Sequence, residues 1–265
     1  MKTRRRLVLG VCAALLAGCI DTSGPNGPVL SVSAIRLPSP SIAIGDVMRD
    51  SAGNPAPLSV TGFDGKGDTI TTFTPIFVVN GRGMHLGAGN ILVGDSIATS
   101  TVVGNVGGLQ SAPASVFVTF APDSAAGAAT DTLRVVIGVS DTLKSVPLNV
   151  AVTGGNPVPG TSAGPARGGS AGYAVYYQIL HAPPSIKADS AAAFLTDGKR
   201  ASAADTTDAS GVASRQVALV LHLVGEPGLL DGSAADSVVV QATVNARGAV
   251  LHPSAVLRFV IPVSR

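Results

Sequence analysis

Glutamate is almost missing from this 265-residue chain: Glu226 is the only one, beside five lysines. The residues that usually fill helix surfaces are therefore scarce. Meanwhile 32 glycines and 18 prolines interrupt the sequence. That composition argues against a helical protein and suits short strands joined by many turns. Tryptophan is absent and aromatic residues make up 4%, which argues against a sugar-stacking lectin or a binder of single-stranded nucleic acid. Charged residues are 13% and mean hydropathy is +0.42, the reverse of a disordered chain. Past the first 18 residues no apolar run is long enough to cross a bilayer as a helix, which takes about 20 residues. The richest, Val217 to Val224, contains His222. The length suits one large domain or two of ordinary size.

Cysteine is nearly absent too: Cys12 and Cys19 are the only two. Met1 to Arg6 is a basic head, Leu7 to Leu16 an apolar run, and Leu16-Ala17-Gly18-Cys19 follows. The apolar run is too short to span a bilayer and fits the central region of an export signal. Small residues before the cut fit a peptidase cleft, and the thiol is the group that accepts a diacylglycerol. This stretch closely resembles the lipobox of bacterial lipoproteins, with Leu16, Ala17, Gly18 and Cys19 each in its family position. The resemblance implies a signal peptide over 1–18, a cut before Cys19 and lipidation of Cys19. The membrane is then a partner, reached through N-terminal acyl chains. Competing readings are a plain secretory signal and an uncleaved anchor. At about 0.8 kcal/mol per buried CH₂, two or three acyl chains hold a protein where one does not. In lipoproteins an Asp directly after the lipidated Cys marks inner-membrane retention. Ile20 stands there, with Asp21 one later, so the resemblance implies the outer membrane. Thr3-Arg4-Arg5-Arg6-Leu7-Val8 also loosely resembles a twin-arginine export signal. With Cys12 cut away and Cys19 lipidated, the mature chain has no disulfide and its cores hold by packing.

Net charge is +2, but Lys2, Arg4, Arg5 and Arg6 lie ahead of the cut. Without them fourteen basic side chains face sixteen acidic ones, and no Lys/Arg cluster remains. A nucleic-acid partner needs a basic patch, so that class is set aside.

Residues 19–30 include the breaker-rich Asp21 to Pro28 and read as a flexible tether. From Ser31 onward the pattern is strand, turn, strand. Val116, Val118 and Phe120 alternate with Phe117 and Thr119; Leu133, Val135, Ile137 and Val139 share a face; Leu148, Val150 and Val152 alternate with Asn149, Ala151 and Thr153. Val238, Val240, Ala242, Val244 and Ala246 alternate with Val239, Gln241, Thr243, Asn245 and Arg247. A period of two with one wet face marks a half-buried antiparallel strand. Turn clusters at 50–57, 64–68, 104–108, 208–211 and 225–232 separate the runs. The expected organisation is a β-sandwich over 31–121, a linker over 122–130 and a second sandwich over 131–265. Segment 154–172 of the latter, rich in Gly and Pro, reads as a long loop of the second domain, with a second linker as the other reading.

Two segments resemble bacterial immunoglobulin-like repeats of the invasin and intimin kind. Ser39-Pro40-Ser41-Ile42-Ala43-Ile44-Gly45-Asp46 resembles their opening strands, and Gly107-Gly108-Leu109-Gln110-Ser111 with Ser115 to Phe120 their closing hairpin. The central tryptophan common in such repeats is absent, with Phe73 or Phe77 in its place. Thr207-Asp208-Ala209-Ser210-Gly211-Val212-Ala213 resembles their Thr-Asp-x-x-Gly-x-Ala turn, with Tyr173 to Ile179 upstream and Asp236 to Ala246 and Val256 to Val263 downstream. The resemblance implies an all-β fold, two immunoglobulin-like β-sandwich domains in tandem, serving as stalk, spacer or adhesive tip.

Residues with chemistry are sparse. His85, His181, His222 and His252 show no i, i+4 spacing and no cysteine is left to join them, so the four convergent ligands of a structural zinc site are not in view. Gly168-Gly169-Ser170-Ala171-Gly172 has the letters of a nucleophile elbow, but a strand, not a helix, follows. Asp64-Gly65-Lys66-Gly67-Asp68 and the set Asp205, Asp208 and Ser210 hint at calcium; tight turns with Asx hydrogen bonds are the favoured reading. Tyr173, Val175, Tyr177 and Ile179 are expected in the core and Tyr176 outside. The chain thus reads as a non-enzymatic, lipid-anchored envelope or surface protein needing no cofactor. Cys19 is its one assigned site. A protein or glycan at the envelope is the partner class left open, and a periplasmic or surface ligand binder the second reading.

Overall fold

The computed structural model describes residues 28–128, 133–134, 142–155, 167–183, 192–220 and 237–264. Segment 1–18, Cys19, His222 and the centre of the Gly/Pro-rich segment, 156–166, lie outside the described residues. Within them the chain is all-β, and its only helical turn is a 3₁₀ turn at Ala88–Asn90. No helix is long and apolar enough to cross a membrane among the described residues.

Ten strands belong to the first module: β1 (Ser31–Val32), β2 (Ser41–Ala43), β3 (Gly62–Phe63), β4 (Thr69–Ile70), β5 (Ile76–Asn80), β6 (Met84–Leu86), β7 (Leu92–Gly94), β8 (Ala98–Val106), β9 (Leu109–Gln110) and β10 (Ala114–Thr119). The main sheet runs β2-β10-β8-β5, with β9 also on β8. Its β2–β10 pair is parallel, Ser41 opposite Phe117 and Ala43 opposite Thr119. A three-stranded sheet β1-β3-β4 and the hairpin β6–β7 complete the module. Ile42, Met48, Leu92, Val102 and Val116 are buried in its core together with Phe77. Of the two phenylalanines considered, Phe77 lies in this core and Phe73 is half-buried beside Gly62.

The second module holds β11 (Ala121–Ala128), β12 (Leu133–Arg134), β13 (Thr142–Lys144), β14 (Leu148–Gly155), β15 (Arg167–Gly169), β16 (Ala174–His181), β17 (Ala193–Thr196), β18 (Ala204–Thr206), β19 (Val212–Val220), β20 (Ser237–Asn245) and β21 (Val256–Ser264). One sheet runs β11-β14-β19, with β17 on the far edge of β19 and β13 continuing the β14 edge. The facing sheet runs β12-β21-β20-β16-β18, with β12 parallel to β21. First, second, fifth and fourth long strands facing seventh, sixth and third is the immunoglobulin arrangement. The inward faces of both sheets form one core, with Leu148, Val150, Val152, Val217 and Leu219 from one side and Val175, Val238, Val240, Phe259 and Ile261 from the other. The alternation read from Val238 to Ala246 holds residue by residue, and Tyr173, Val175, Tyr177 and Ile179 are all buried. Tyr177 spans the two layers, its hydroxyl donating to the Leu148 carbonyl at 3.2 Å. Burial pushes its phenol pKa up strongly.

The structure corrects one expectation. The linker expected over 122–130 is, through Ala128, part of β11, paired antiparallel with β14. β10 ends at Thr119 and β11 begins at Ala121, so Phe120 alone lies between the strands of the two modules. Small residues hid this strand because packing demands them: Ala125 is fully buried, and a Cβ on Gly127 would stand 2.9 Å from the Phe259 ring. The backbones of β11 and β14 approach so closely at a bulge that a Cβ on Gly154 would lie 1.6 Å from the Ala121 carbonyl oxygen. Both ends of the Gly/Pro-rich segment sit in one ladder, Thr153 opposite Gly169 and Gly155 opposite Arg167.

Three turns share one construction, Asp-x-x-Gly. At Asp50, Asp64 and Asp208 the carboxylate accepts N–H bonds from the second and fourth residues on, at 2.8–3.0 Å. The glycines Gly53, Gly67 and Gly211 adopt φ of +90°, +87° and +82°, which costs glycine little and other residues much. Asp197 accepts similarly from Lys199 and Arg200.

Two outcomes follow. Gly154→Ala should destabilise the second module by about 2 kcal/mol or more, read from denaturant unfolding, because backbone stands where the methyl must go. The hydrogen bonds to Asp50, Asp64, Asp197 and Asp208 hold these carboxyls below their ordinary 3.8. A carboxyl that binds its proton more weakly in the folded chain contributes fully above the unfolded value and loses that contribution as pH falls through the folded one. Thermal stability should therefore be flat from about pH 8 to about pH 5 and decline below about pH 4.

Candidate functional site at the module junction

Polar groups of the chain converge where the modules meet. Thr119, the last residue of β10, is buried. Its hydroxyl donates to the Gly169 carbonyl at 3.2 Å and accepts the Ala171 N–H at 2.8 Å. Ser170 donates from Oγ to the Phe120 carbonyl at 3.0 Å. Behind it Thr207 donates to the Ser170 carbonyl at 2.7 Å and accepts the Tyr173 N–H at 2.9 Å. Gly168 faces the Phe120 ring, which leaves no room for a side chain there.

Arg247 completes the junction from the far end of the chain. It follows β20 in the left-handed region, at φ +53°, with its N–H on the Asn245 side-chain oxygen at 3.0 Å. Nη1 donates to the Ser41 carbonyl at 2.7 Å; Nη2 donates to Ser41 Oγ at 3.1 Å and to the Gly172 carbonyl. The guanidinium carbon lies 4.3 Å from the centre of the Tyr173 ring, a cation–π contact. Burial lowers the guanidinium pKa and raises that of the Tyr173 phenol. Asn245 adds a bond from Nδ2 to the Ser51 carbonyl at 3.1 Å. A cavity of about 520 Å³ opens beside these groups, lined by Ser41, Asp46, Arg49, Tyr173 and Arg247 among others. Asp46 there is paired with Arg49 at 2.8 and 2.9 Å and accepts the Val47 N–H. Burial acts to raise its pKa, but the hydrogen bonds and charge of Arg49 and the Val47 N–H outweigh that and hold it low.

The structure does not bring the sequence's chemical candidates together. Ser170 is fully buried and its hydroxyl is committed to Phe120, so Gly168-x-Ser170-x-Gly172 is a strand end packed at the junction. His85 pairs with Asp95 at 2.9 Å on the surface. Asp208 is spent on its own turn, its Oδ1 also accepting Ser210 Oγ at 2.6 Å. Asp205 accepts the Ser214 N–H at 2.7 Å and forms an ion pair with Arg215 at 3.0 Å. No group of three or more metal-ligating side chains forms among the described residues. Tyr176 is 52% exposed, on the outer face of β16. Sequence reading missed Arg247, which it placed on a wet strand face. The one local signal is Gly248, at φ +90°, which marks a turn after the strand but not the role of the arginine before it.

No protein-family model matches the chain, and no curated protein matches it. Solved structures do, remotely. The adhesin InvE of Yersinia pseudotuberculosis superposes with a TM-score of 0.33 at 15% identity, covering 88% of this chain and 58% of that one. Domains 5-6 of the S-layer protein SbsC give 0.27 at 12%, covering 89% of this chain and 98% of that one. A glycosyl hydrolase family 2 member from Bacteroides cellulosilyticus gives 0.25 at 11%, covering 78% and 24%. The chain thus spans little more than half of the adhesin chain.

The Asp205–Arg215 pair links β18 of one sheet to β19 of the other, and Arg215 is almost enclosed, its Nε without a partner. Asp205→Ala should cost about 3 kcal/mol in denaturant unfolding, because it strands a buried charge. Adding Arg215→Met should recover most of that loss; no recovery would mean that the pair is not the cause.

Proposed function

We propose that the chain is a lipid-anchored, non-catalytic protein of the bacterial envelope, in which immunoglobulin-like modules serve as a spacer or adhesive element held off the outer membrane. One observation carries the reading: a basic head, a short apolar run and Leu16-Ala17-Gly18-Cys19 stand in that order ahead of an all-β chain. The acyl chains on Cys19 supply the anchor, and residues 19–30 the tether. The lack of an acidic residue directly after Cys19 favours the outer membrane. The non-catalytic part is supported by how the hydroxyls and carboxylates of the candidate groups are used: Ser170, Thr119, Thr207, Asp205 and Asp208 all hold backbone or neighbouring side chains. The partner of such a module is a protein or glycan met at the envelope, engaged through loops or a sheet edge.

The test is the mature N-terminus. Mass spectrometry of membrane fractions should find a chain beginning at Cys19 with fatty acid attached. Cys19→Ala should abolish fatty-acid labelling and leave the protein out of the membrane fraction. Equal labelling of variant and wild type would overturn the anchor and the placement with it.

A further inference from the structure

We propose that the two modules form one rigid body, locked by Arg247 through uncharged partners, so that the angle between them is fixed and insensitive to salt. The inference does not depend on Cys19 and would stand if the anchor reading fell. Relative motion is the ordinary expectation for two modules in one chain unless their interface resists it. Here three features resist it. Phe120 alone separates β10 from β11, and its ring fills the space over Gly168. The segment Gly169–Ala171 is laced to Thr119 and Phe120 by three hydrogen bonds. From the turn after β20, Arg247 grips Ser41 of the first module twice and Gly172 of its own module once, while its flat face rests on Tyr173. The connection of one residue is thus reinforced by side chains contributed from β2, β10 and the turn after β20.

The chemistry of the lock is particular. Each acceptor of Arg247 is a carbonyl or a hydroxyl. The nearby Asp46–Arg49 pair is internal to the first module, and the Asp123–Arg167 pair to the second. No ion pair among the described residues crosses the junction. Salt screens charge pairs over about 8 Å at physiological strength, whereas short bonds to neutral acceptors lack the long-range attraction that salt removes. A guanidinium also presents several donors in one plane. A lysine ammonium cannot span the Ser41 and Gly172 carbonyls and stack on Tyr173 together.

The test is scanning calorimetry of the full chain with hydrogen exchange at the junction amides. Wild type should unfold in one cooperative transition, with the Ala171 N–H equally protected from about 0.1 M to about 1 M NaCl. Arg247→Ala should split the transition in two and speed exchange at Ala171 about tenfold or more. Arg247→Lys should behave like the alanine variant. Thr119→Val, which removes the bonds to Gly169 and Ala171, should also speed exchange and unfold less sharply in calorimetry, and it supplies the measurement if Arg247→Ala fails to fold. Two independent transitions in wild type, loss of its protection in high salt, or variants indistinguishable from wild type would each overturn the lock.

Discussion

A guanidinium held without a carboxylate governs how this chain is assembled. Arg247 gives its donors to Ser41 and Gly172 and its face to Tyr173, and around that contact the ends of both sandwiches are arranged. Burying a cation costs free energy unless its hydrogen bonds are met. The surroundings meet them with backbone carbonyls, which neither titrate nor move independently of the strands. Ser41 begins β2, Gly172 precedes β16 and Arg247 follows β20. A single side chain therefore reads the positions of three strands at once.

The interior of each module is by contrast ordinary. Alternating valines and leucines from two sheets meet in the second module, and a smaller core gathers around Met48, Leu92 and Val116 in the first. Polar groups are used mainly to fold the chain upon itself: aspartates close turns, threonine and serine hydroxyls tie bends to strands, and Asp205 reaches Arg215 across the layers.

Much of the fold was legible because a half-buried strand announces itself by period two. The inward set from Val238 to Ala246, the buried Tyr173 and Tyr177 and the exposed Tyr176 could all be read from spacing alone. The Asp-x-x-Gly turns at 50, 64 and 208 were visible in the letters as turn clusters, though not as one repeated device. Two things were hidden. β11 reads as a linker because its contacts demand Ala and Gly, which carry no periodic signal. Arg247 reads as one more polar residue on a strand face because its partner Ser41 lies 206 positions away, and no local pattern encodes so distant a contact.

The parallel pairing of β2 with β10 has a mechanical consequence. Tension applied between the N-terminal side of β2 and the C-terminal side of β10 acts along both strands in opposite senses, since they run the same way. The hydrogen bonds of a parallel pair lie slanted and evenly spaced between the strands, so they are strained together and not peeled one after another. Ser41, at the loaded end of that pair, is also where Arg247 takes hold. Once β1 has come away from β3, a pull arriving at Ser41 is thus shared by two strands and a distant arginine before any bond must yield alone.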